Sequence, residues 1–507
     1  VQFHAPSRFA VINSPQVALD VSTVDDGTVS GVSVCVSGTD NCADLAAGGE
    51  ANHWTGVLAL DTPANGAGYT LVATATDSDG LTATDTAGVI LFSGALWVST
   101  HGISTSSNAP RVAVDSVGRI HVVWEDDCWL YNCAVGSPPG TYPKDVFYRR
   151  FNGTSWNATR CLTSGVTGES DSLLPDVAVD HQDNVHVVWQ DNGTTGPAFS
   201  GSRIVHRVID GVTGVPGAYT AVGKQSDLGD FAPRIAASPA HQAMEVVWHR
   251  RKSSTDQDVM RAVWSGASWG TPEVISVSPA AGRSIRPDIA IDLQGNSFIV
   301  WQETLTTAET RFQVFLRVVN GAVMGTEPCV PLTAYATGTA TYPAVAVGGP
   351  EDLAHVVWLY GNGTDPHLSD ANDRDVYHVT YDLADTQTPL GTAVLVTPDV
   401  NDGISEFPSV AVDDSTGTAY VLWADTGNFG GGGTDGDTYR ATWTSGAGMG
   451  PPVLVSNDAF DNGATGETHV VAAGTSLYMT WADSSAIPDD DDTNKPDVLL
   501  EGLSLVE

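Results

Sequence analysis

The sequence predicts an all-β protein of two units, a β-sandwich over residues 1–93 followed by a seven-bladed β-propeller over residues 94–507. Three observations predict it. The phrase running from Pro110 to Trp124, Pro-Arg-Val-Ala-Val-Asp-Ser-Val-Gly-Arg-Ile-His-Val-Val-Trp, returns at Pro175 to Trp189, Pro233 to Trp248, Pro287 to Trp301, Pro343 to Trp358 and Pro408 to Trp423, with an altered copy from Thr468 to Trp481. A second phrase follows each copy: Asp145-Val146-Phe147-Tyr148-Arg149 first, Asp497-Val498-Leu499-Leu500 last. The composition is rich in Val, Thr and Ala, with 53 Gly and 27 Pro, and almost no segment carries a helical period.

Successive prolines of the repeat stand 65, 58, 54, 56 and 65 residues apart, and the altered copy begins 60 further on. A period near 50 to 60 residues holding several short β-runs is what one propeller blade requires. In the first unit the spacing predicts strands over Arg111–Asp115, Ile120–Trp124, Asp145–Phe151 and Trp156–Thr163. The last unit stops after three strands, while an orphan run, Ala95-Leu96-Trp97-Val98-Ser99-Thr100, precedes the first copy. Strand 95–100 is therefore expected to pair with the C-terminal blade and close the ring, which removes the exposed edges. Alanines at 113, 178, 236, 290, 346 and 411 suit the crowded inner strand. The Trp ending each second strand is expected to plug the space between blades.

Before the repeats, apolar and polar residues alternate over Phe9–Ile12, Gln16–Ser22, Gly31–Val36, His53–Leu60, Tyr69–Thr76 and Thr82–Leu91, separated by Asp-Gly and Asn-Gly turns. This stretch resembles the immunoglobulin-like modules of secreted bacterial surface proteins. The likeness is carried by Gly27-Thr28-Val29-Ser30-Gly31-Val32 and by Tyr69 through Thr84. Asp77, Asp79 and Asp85 are candidate calcium ligands, although turn chemistry favours the reading in which Asp-Gly simply closes a hairpin.

The repeat phrase, with Asp-Val-Phe-Tyr and Trp-x-x-x-x-x-Leu-Thr after it, resembles the sialidase-like (BNR or Asp-box) propellers over residues 95–507. That resemblance implies an anion-clamping site near the axis; Arg111, Arg234 and Arg286 stand at or beside the starts of inner strands, where they either bind an anion together or, the favoured reading, are rim charges paired with local Asp. The enzyme motifs are not intact. Gly153-Thr154-Ser155-Trp156 and Gly266-Ala267-Ser268-Trp269 lack the leading Ser and the Asp of an Asp-box, and Ile285-Arg286-Pro287 replaces Arg-Ile-Pro. Fold likeness alone brings no catalytic residue with it.

Charge narrows the partners. The chain has 22 Lys plus Arg against 60 Asp plus Glu, a net charge of −38, which excludes nucleic acid and disfavours anionic membranes. No run is long and apolar enough for direct membrane insertion. Numbering opens on Val1 without Met, and the close pairs Cys35/Cys42 and Cys128/Cys133 suit small disulfide loops, so an exported, processed protein is expected. Cys161 and Cys329, expected on outer strands too far apart for a bridge within the chain, are read as part-buried thiols, with a disulfide to another subunit or a mixed one as the alternative.

The long segments between strands two and three fall on one face, and binding is expected there. Acidic residues gather on that face, including Asp489, Asp490, Asp491 and Asp492, which are either calcium ligands or a solvated loop. The leading expectation is an exported non-catalytic surface protein for adhesion, recognition or assembly, with copies of itself, surface proteins or glycans as partners. In a filament or layer, segment 1–14 would add as a strand to a neighbour. The alternative is a sialidase-like glycan-active enzyme or a glycan-binding lectin.

Overall fold

The computed structural model describes the chain except residues 7–9, 25–27, 50–51, 62, 93–94, 100–105, 128–142, 153–154, 164–170, 193–200, 223–227, 239, 241, 277–281, 305–310, 321–329, 332–337, 362–373, 383–384, 390–391, 398–402, 428–435, 457–464, 484–496 and 506–507. All named elements are strands. Among the described residues no helix is long and apolar enough to cross a membrane.

The N-terminal strands form two sheets. One orders Gln2–Ala5, Gln16–Ser22, His53–Ala59 and Ala46–Ala47; the other orders Ala10–Ile12, Thr82–Leu91, Gly68–Asp77, Val29–Val36 and Cys42–Asp44. Alternation explains the packing: along Gln16–Ser22, Val17, Leu19 and Val21 are buried and face Val32, Val34, Leu71 and Ala73 of the other sheet. Segment 1–14 is not left for a neighbour. Gln2–Ala5 pairs with Gln16–Ser22, and Ala10–Ile12 pairs parallel with Thr82–Leu91, so its backbone groups are used within the chain. Cys35 and Cys42 face each other across a strand pair and are disulfide-bonded.

Seven further sheets follow among the described residues, each built on antiparallel strands in the repeat order. The first comprises Ser107–Val114, Ile120–Asp126, Asp145–Phe151 and Arg160–Cys161. In the last, Leu96–Trp97 joins Asp497–Ser504, Leu96 opposite Leu500 and Trp97 opposite Leu499. The innermost strands of all seven sheets line one central channel, walled by Ala113, Ala178, Ala236, Ala290, Ala346 and Ala411. Small side chains are required where seven strands converge. The arrangement is all-β and propeller-like.

The repeated tryptophans are packing residues. Trp124, Trp189, Trp248, Trp301, Trp358, Trp423 and Trp481 are all fully buried. Each lies among residues of two adjacent sheets; Trp189, for example, packs with Val123, Val146 and Tyr148 of the sheet before it. A buried aromatic of that size dominates the apolar contact between sheets.

The turn between the first two strands is fixed by an aspartate. Asp115 Oδ1 accepts from the amides of Val117 (3.1 Å) and Arg119 (2.8 Å). Asp180 does the same for Gln182 and Asn184, and Asp292 for Gln294 and Asn296. The second oxygen of Asp115 meets His121 Nε2 at 3.1 Å, while His121 Nδ1 meets the Tyr148 hydroxyl at 2.8 Å. The recurring histidines of the second strand therefore bond within the scaffold, as His186 does to Asp180 and His206.

The sandwich is seated on the last sheet. Val11, Ile90 and Phe92 pack with Tyr478, Val498 and Leu500. The Asn13 amide donates to the Gly502 carbonyl (2.8 Å), and its oxygen accepts from the Ser504 amide (2.7 Å). The Val11 amide donates to Ser476 Oγ at 3.1 Å.

Candidate functional site

Each inner strand enters the ring through the same irregularity. Pairing with the second strand slips by one residue at Asn108/Arg111, Leu173/Asp176, Phe231/Arg234, Ile285/Asp288, Thr341/Ala344 and Glu406/Ser409. The residue before each proline has a positive φ: Ala109 (50°), Leu174 (51°), Ala232 (49°), Arg286 (53°), Tyr342 (51°) and Phe407 (50°). Left-handed backbone costs a residue with a Cβ about 1–2 kcal/mol. A bulge of this kind re-aims the side chain it carries.

The strained residues are held by the preceding sheet. The Leu174 amide donates to Glu125 Oε2 (2.8 Å), that of Ala232 to Gln190 Oε1 (3.2 Å), and that of Tyr342 to Gln302 Oε1 (2.9 Å). Those acceptors immediately follow the buried tryptophans, so the packing core fixes the ring of pre-proline residues.

Leu174, Ala232, Arg286, Tyr342 and Phe407 line a cavity of about 190 Å³ between the starts of the innermost strands. Arg111, Arg234 and Arg286 all line it, together with Asp176, Asp288, Tyr342, Phe407, Glu467 and His469. The three arginines expected near the axis are thus brought together, but from two positions of the repeat. Arg286 precedes its proline; Arg111 and Arg234 follow theirs.

The position after the proline forms an inner polar ring that stitches sheet to sheet. Asp176 Oδ2 accepts from the Ile235 amide (2.8 Å), Asp288 Oδ2 from that of Val345 (2.9 Å), and His469 Nδ1 from that of Val112 (3.2 Å). Arg111 is buried, with guanidinium nitrogens 3.7 Å from Asp176 and 3.8 Å from Glu467, and it donates to the Pro110 carbonyl at 2.8 Å. Arg234 donates to the Pro233 carbonyl at 2.9 Å and lies in the field of Asp176 and Asp288.

Burial shifts the titrations in this ring. It lowers Arg111, with Arg234 adding to the effect, and raises Asp176 against the pull of Arg234 and Arg111. It pushes the Asp288 carboxyl up to about 6, opposed by Arg234. Burial, with Arg111 and Arg234 beside it, holds His469 well below the ordinary histidine range and hence neutral at pH 7.

The outer ring is uneven. On the first three sheets it carries Ala109, Leu174 and Ala232; on the next four it carries Arg286, Tyr342, Phe407 and Glu467. The Arg286 guanidinium carbon sits 3.9 Å from the Tyr342 ring centroid, and Phe407 meets Tyr342 edge-on at 5.7 Å. The result is a wall of aromatic and charged groups on one side of the cavity and aliphatic residues, Leu174 and Ala232, on the other. The sequence does not mark Glu467 and His469 by the repeat phrase, because the seventh copy has Thr468 where the others have proline. Their register relative to Trp481 was the available signal.

The other candidate sites separate. Asp77 Oδ1 accepts from the amides of Asp79 and Leu81, both at 2.8 Å, and so closes its own hairpin. Asp85 pairs opposite Ala73, four residues or about 13 Å along the strand from Asp77, and accepts from the Phe3 amide at 3.0 Å. The three do not converge, and no group of three or more His, Cys, Asp or Glu among the described residues is placed to hold a metal ion. Asp489, Asp490, Asp491 and Asp492 lie outside the described residues, as do Cys128, Cys133 and Cys329. Cys161 is disulfide-bonded, which corrects its reading as a thiol; its partner lies outside the described residues.

No known family profile matches the chain, and no curated protein matches it. Solved structures do. A polysaccharide lyase, an ulvan lyase solved bound to a GlcA(1-4)Rha3S glycan, matches with a TM-score of 0.52 at 10% identity, over 80% of this chain and 96% of that one. An α-L-arabinofuranosidase of Fusarium graminearum matches with a TM-score of 0.46 at 13% identity, over 66% of this chain and 94% of that one. A Hadza microbial sialidase matches with a TM-score of 0.41 at 11% identity, over 100% and 99%. Identities this low speak to fold alone. The leading expectation of a non-catalytic protein for adhesion or assembly is corrected: the ulvan lyase, whose TM-score exceeds 0.5, is a glycan-active enzyme, and that finding favours the alternative.

Proposed function

We propose that the chain is a glycan-active protein that takes a saccharide into the axial cavity. The carrying observation is the wall formed by Arg286, Tyr342, Phe407 and Glu467 above a polar inner ring. Saccharide sites need an aromatic surface for the apolar face of the sugar and a few fixed polar groups for its hydroxyls, and this cavity supplies both. Asp288, whose carboxyl titrates near 6, is the residue best suited to carry a proton to or from a bound sugar.

The scaffold reading that accompanies this function is a closed seven-bladed propeller over residues 94–507, with Leu96–Trp97 completing the last blade, and an immunoglobulin-like sandwich over residues 1–93. The Cys35–Cys42 disulfide supports export to an oxidising compartment. The ulvan lyase likeness suggests where to begin a substrate screen.

The test is a panel of acidic and neutral polysaccharides, including ulvan, arabinan and sialylated glycans, assayed for depolymerisation and for binding by titration calorimetry. Binding or turnover that is lost in Tyr342→Ala with the fold intact supports the reading. Absence of both across the panel, or binding indifferent to Tyr342 and Phe407, contradicts it.

A further inference from the structure

We propose that the axial cavity selects an uncharged saccharide, read through its hydroxyls by Ser409 and Glu467, and turns away acidic and amino sugars alike. This rests on the glycan reading above and narrows it to a class of ligand.

Among the described residues lining the cavity, two buried polar atoms have no hydrogen-bond partner: the Ser409 hydroxyl and Glu467 Oε2. Ser409 is only 7% exposed. The nearest cation to Glu467 Oε2 is Arg111 at 3.8 Å, too far for a hydrogen bond. Ser409 also stands apart from its own ring. At the same position of the repeat, Asp176 and Asp288 each reach the backbone amide of the next sheet, at 2.8 and 2.9 Å, whereas the shorter Ser409 side chain stitches nothing. Buried polar atoms are normally satisfied, so two orphans on the wall of a cavity mark where the polar groups of a ligand go.

The charges decide which polar groups. Among the described lining residues, Arg111, Arg234 and Arg286 are matched in number by Asp176, Asp288 and Glu467, and burial keeps His469 neutral. Arg111 lies between Asp176 and Glu467, and Arg234 lies in the field of Asp176 and Asp288. Arg286 stacks on Tyr342 at 3.9 Å. The wall thus offers a donor in Arg286, an acceptor in Glu467 Oε2, and in Ser409 a group that is both. A carboxylate could take the Arg286 donors, but it has no proton for Glu467 and is repelled by it. An ammonium group could meet Glu467, but it faces Arg286. A hydroxyl donates and accepts at once. Neighbouring hydroxyls of a neutral sugar therefore answer the wall without adding a charge to a balanced, buried ring.

The apolar half of the contact comes from the same segment. Phe407 and Ser409 flank Pro408 at the bulge of strand Ser405–Val412, and Phe407 meets Tyr342 edge-on at 5.7 Å. One irregularity in one strand thus delivers an aromatic surface for the C–H face of the ring and a hydroxyl for its polar edge.

The experiment is calorimetric titration of the full chain at pH 7.5, above the titration of Asp288 near 6. The probes are matched tetrasaccharides of the gluco and galacto series, each as the neutral glycan, its uronate counterpart and its 2-amino counterpart. In every series that binds, the neutral member is expected to bind about 10- to 100-fold more tightly than either charged one, the range for leaving a buried polar group unmet. Ser409→Ala should weaken the neutral sugar about three- to tenfold at an unchanged melting temperature, because the hydroxyl it removes has no partner within the chain. Glu467→Gln, which takes one negative charge from the cavity, should shift the ratio of affinities toward the uronate. A charged member that binds as tightly as its neutral counterpart, or Ser409→Ala binding at wild-type affinity, overturns the inference and leaves the glycan reading standing. A lowered melting temperature of Ser409→Ala, which would give the hydroxyl to the scaffold, does the same, as does an unchanged ratio in Glu467→Gln. Failure of every saccharide to bind removes the glycan reading and this inference with it.

Discussion

The two ends of the inner strands follow opposite rules. At the turn end, Asp115, Asp180 and Asp292 make the same pair of backbone hydrogen bonds with the same purpose, blade after blade. At the other end, the residues before the prolines share a φ to within a few degrees but range from Ala109, Leu174 and Ala232 to Arg286, Tyr342 and Phe407. Repetition of a side chain marks scaffold. Repetition of a backbone geometry that delivers unlike side chains to one cavity marks a site.

The comparison breaks most visibly under substitution. Asp115→Ala removes the acceptor for two amides, for His121 and for Arg119, and should destabilise the protein by about 3 kcal/mol in denaturant titration. Arg286→Gln, at the opposite end of the inner strand Ser284–Ile291, should leave stability within about 0.5 kcal/mol of wild type. If the turn end proves the more tolerant, the assignment of the two ends is inverted.

Tyr342→Ala should cost about tenfold in affinity for a bound saccharide, since it removes both aromatic surface and the platform of Arg286. Because Tyr342 also contacts Phe407, a stability loss of about 1 kcal/mol should accompany it. Calorimetry and denaturation on the same variant separate the two effects.

Proton linkage gives a smaller effect with a definite sign. Asp288 lies two residues from Arg286 and loses its proton near pH 6. Its negative charge then opposes an anionic ligand, so affinity for an acidic sugar should fall a few-fold, about two to five, between pH 5 and pH 7. Asp288→Asn, which keeps an oxygen to accept from Val345, should flatten that profile. A rise of affinity with pH would contradict the placement of Asp288 in the site.

The smallest test concerns backbone alone. Ala232 sits at φ 49°, so Ala232→Gly exchanges steric strain for chain entropy and should be neutral or stabilising by about 0.5 kcal/mol. The same exchange at Ala113, within the regular part of an inner strand, should cost about 1 kcal/mol. Thermal melts of the pair decide whether the positive φ is real strain.

Most of the scaffold was legible because a repeat supplies its own internal comparison. The period located the strands, the recurring Trp predicted a buried plug, and the orphan Leu96–Trp97 was assigned to the strand beside Asp497–Ser504, where it pairs. Convergence of Arg111 and Arg234 was also readable, since like positions of a repeat come together; Arg286, from the position before its proline, joins them in the same cavity. Their unequal status was not. Whether an arginine is answered depends on neighbours from other sheets, such as Asp176 for Arg111, and no spacing within one repeat reveals that. The seating of Asn13 on Gly502 and Ser504 is a contact across nearly the whole chain, beyond any local pattern. The bonded state of Cys161 was hidden for the same reason.

The most direct test is a crystal structure of the protein soaked with an oligosaccharide from the binding panel. The account predicts sugar density in the axial cavity, against Tyr342 and Phe407. Density on the outer flank of a blade or on the sandwich, with the axial cavity unchanged, would contradict it.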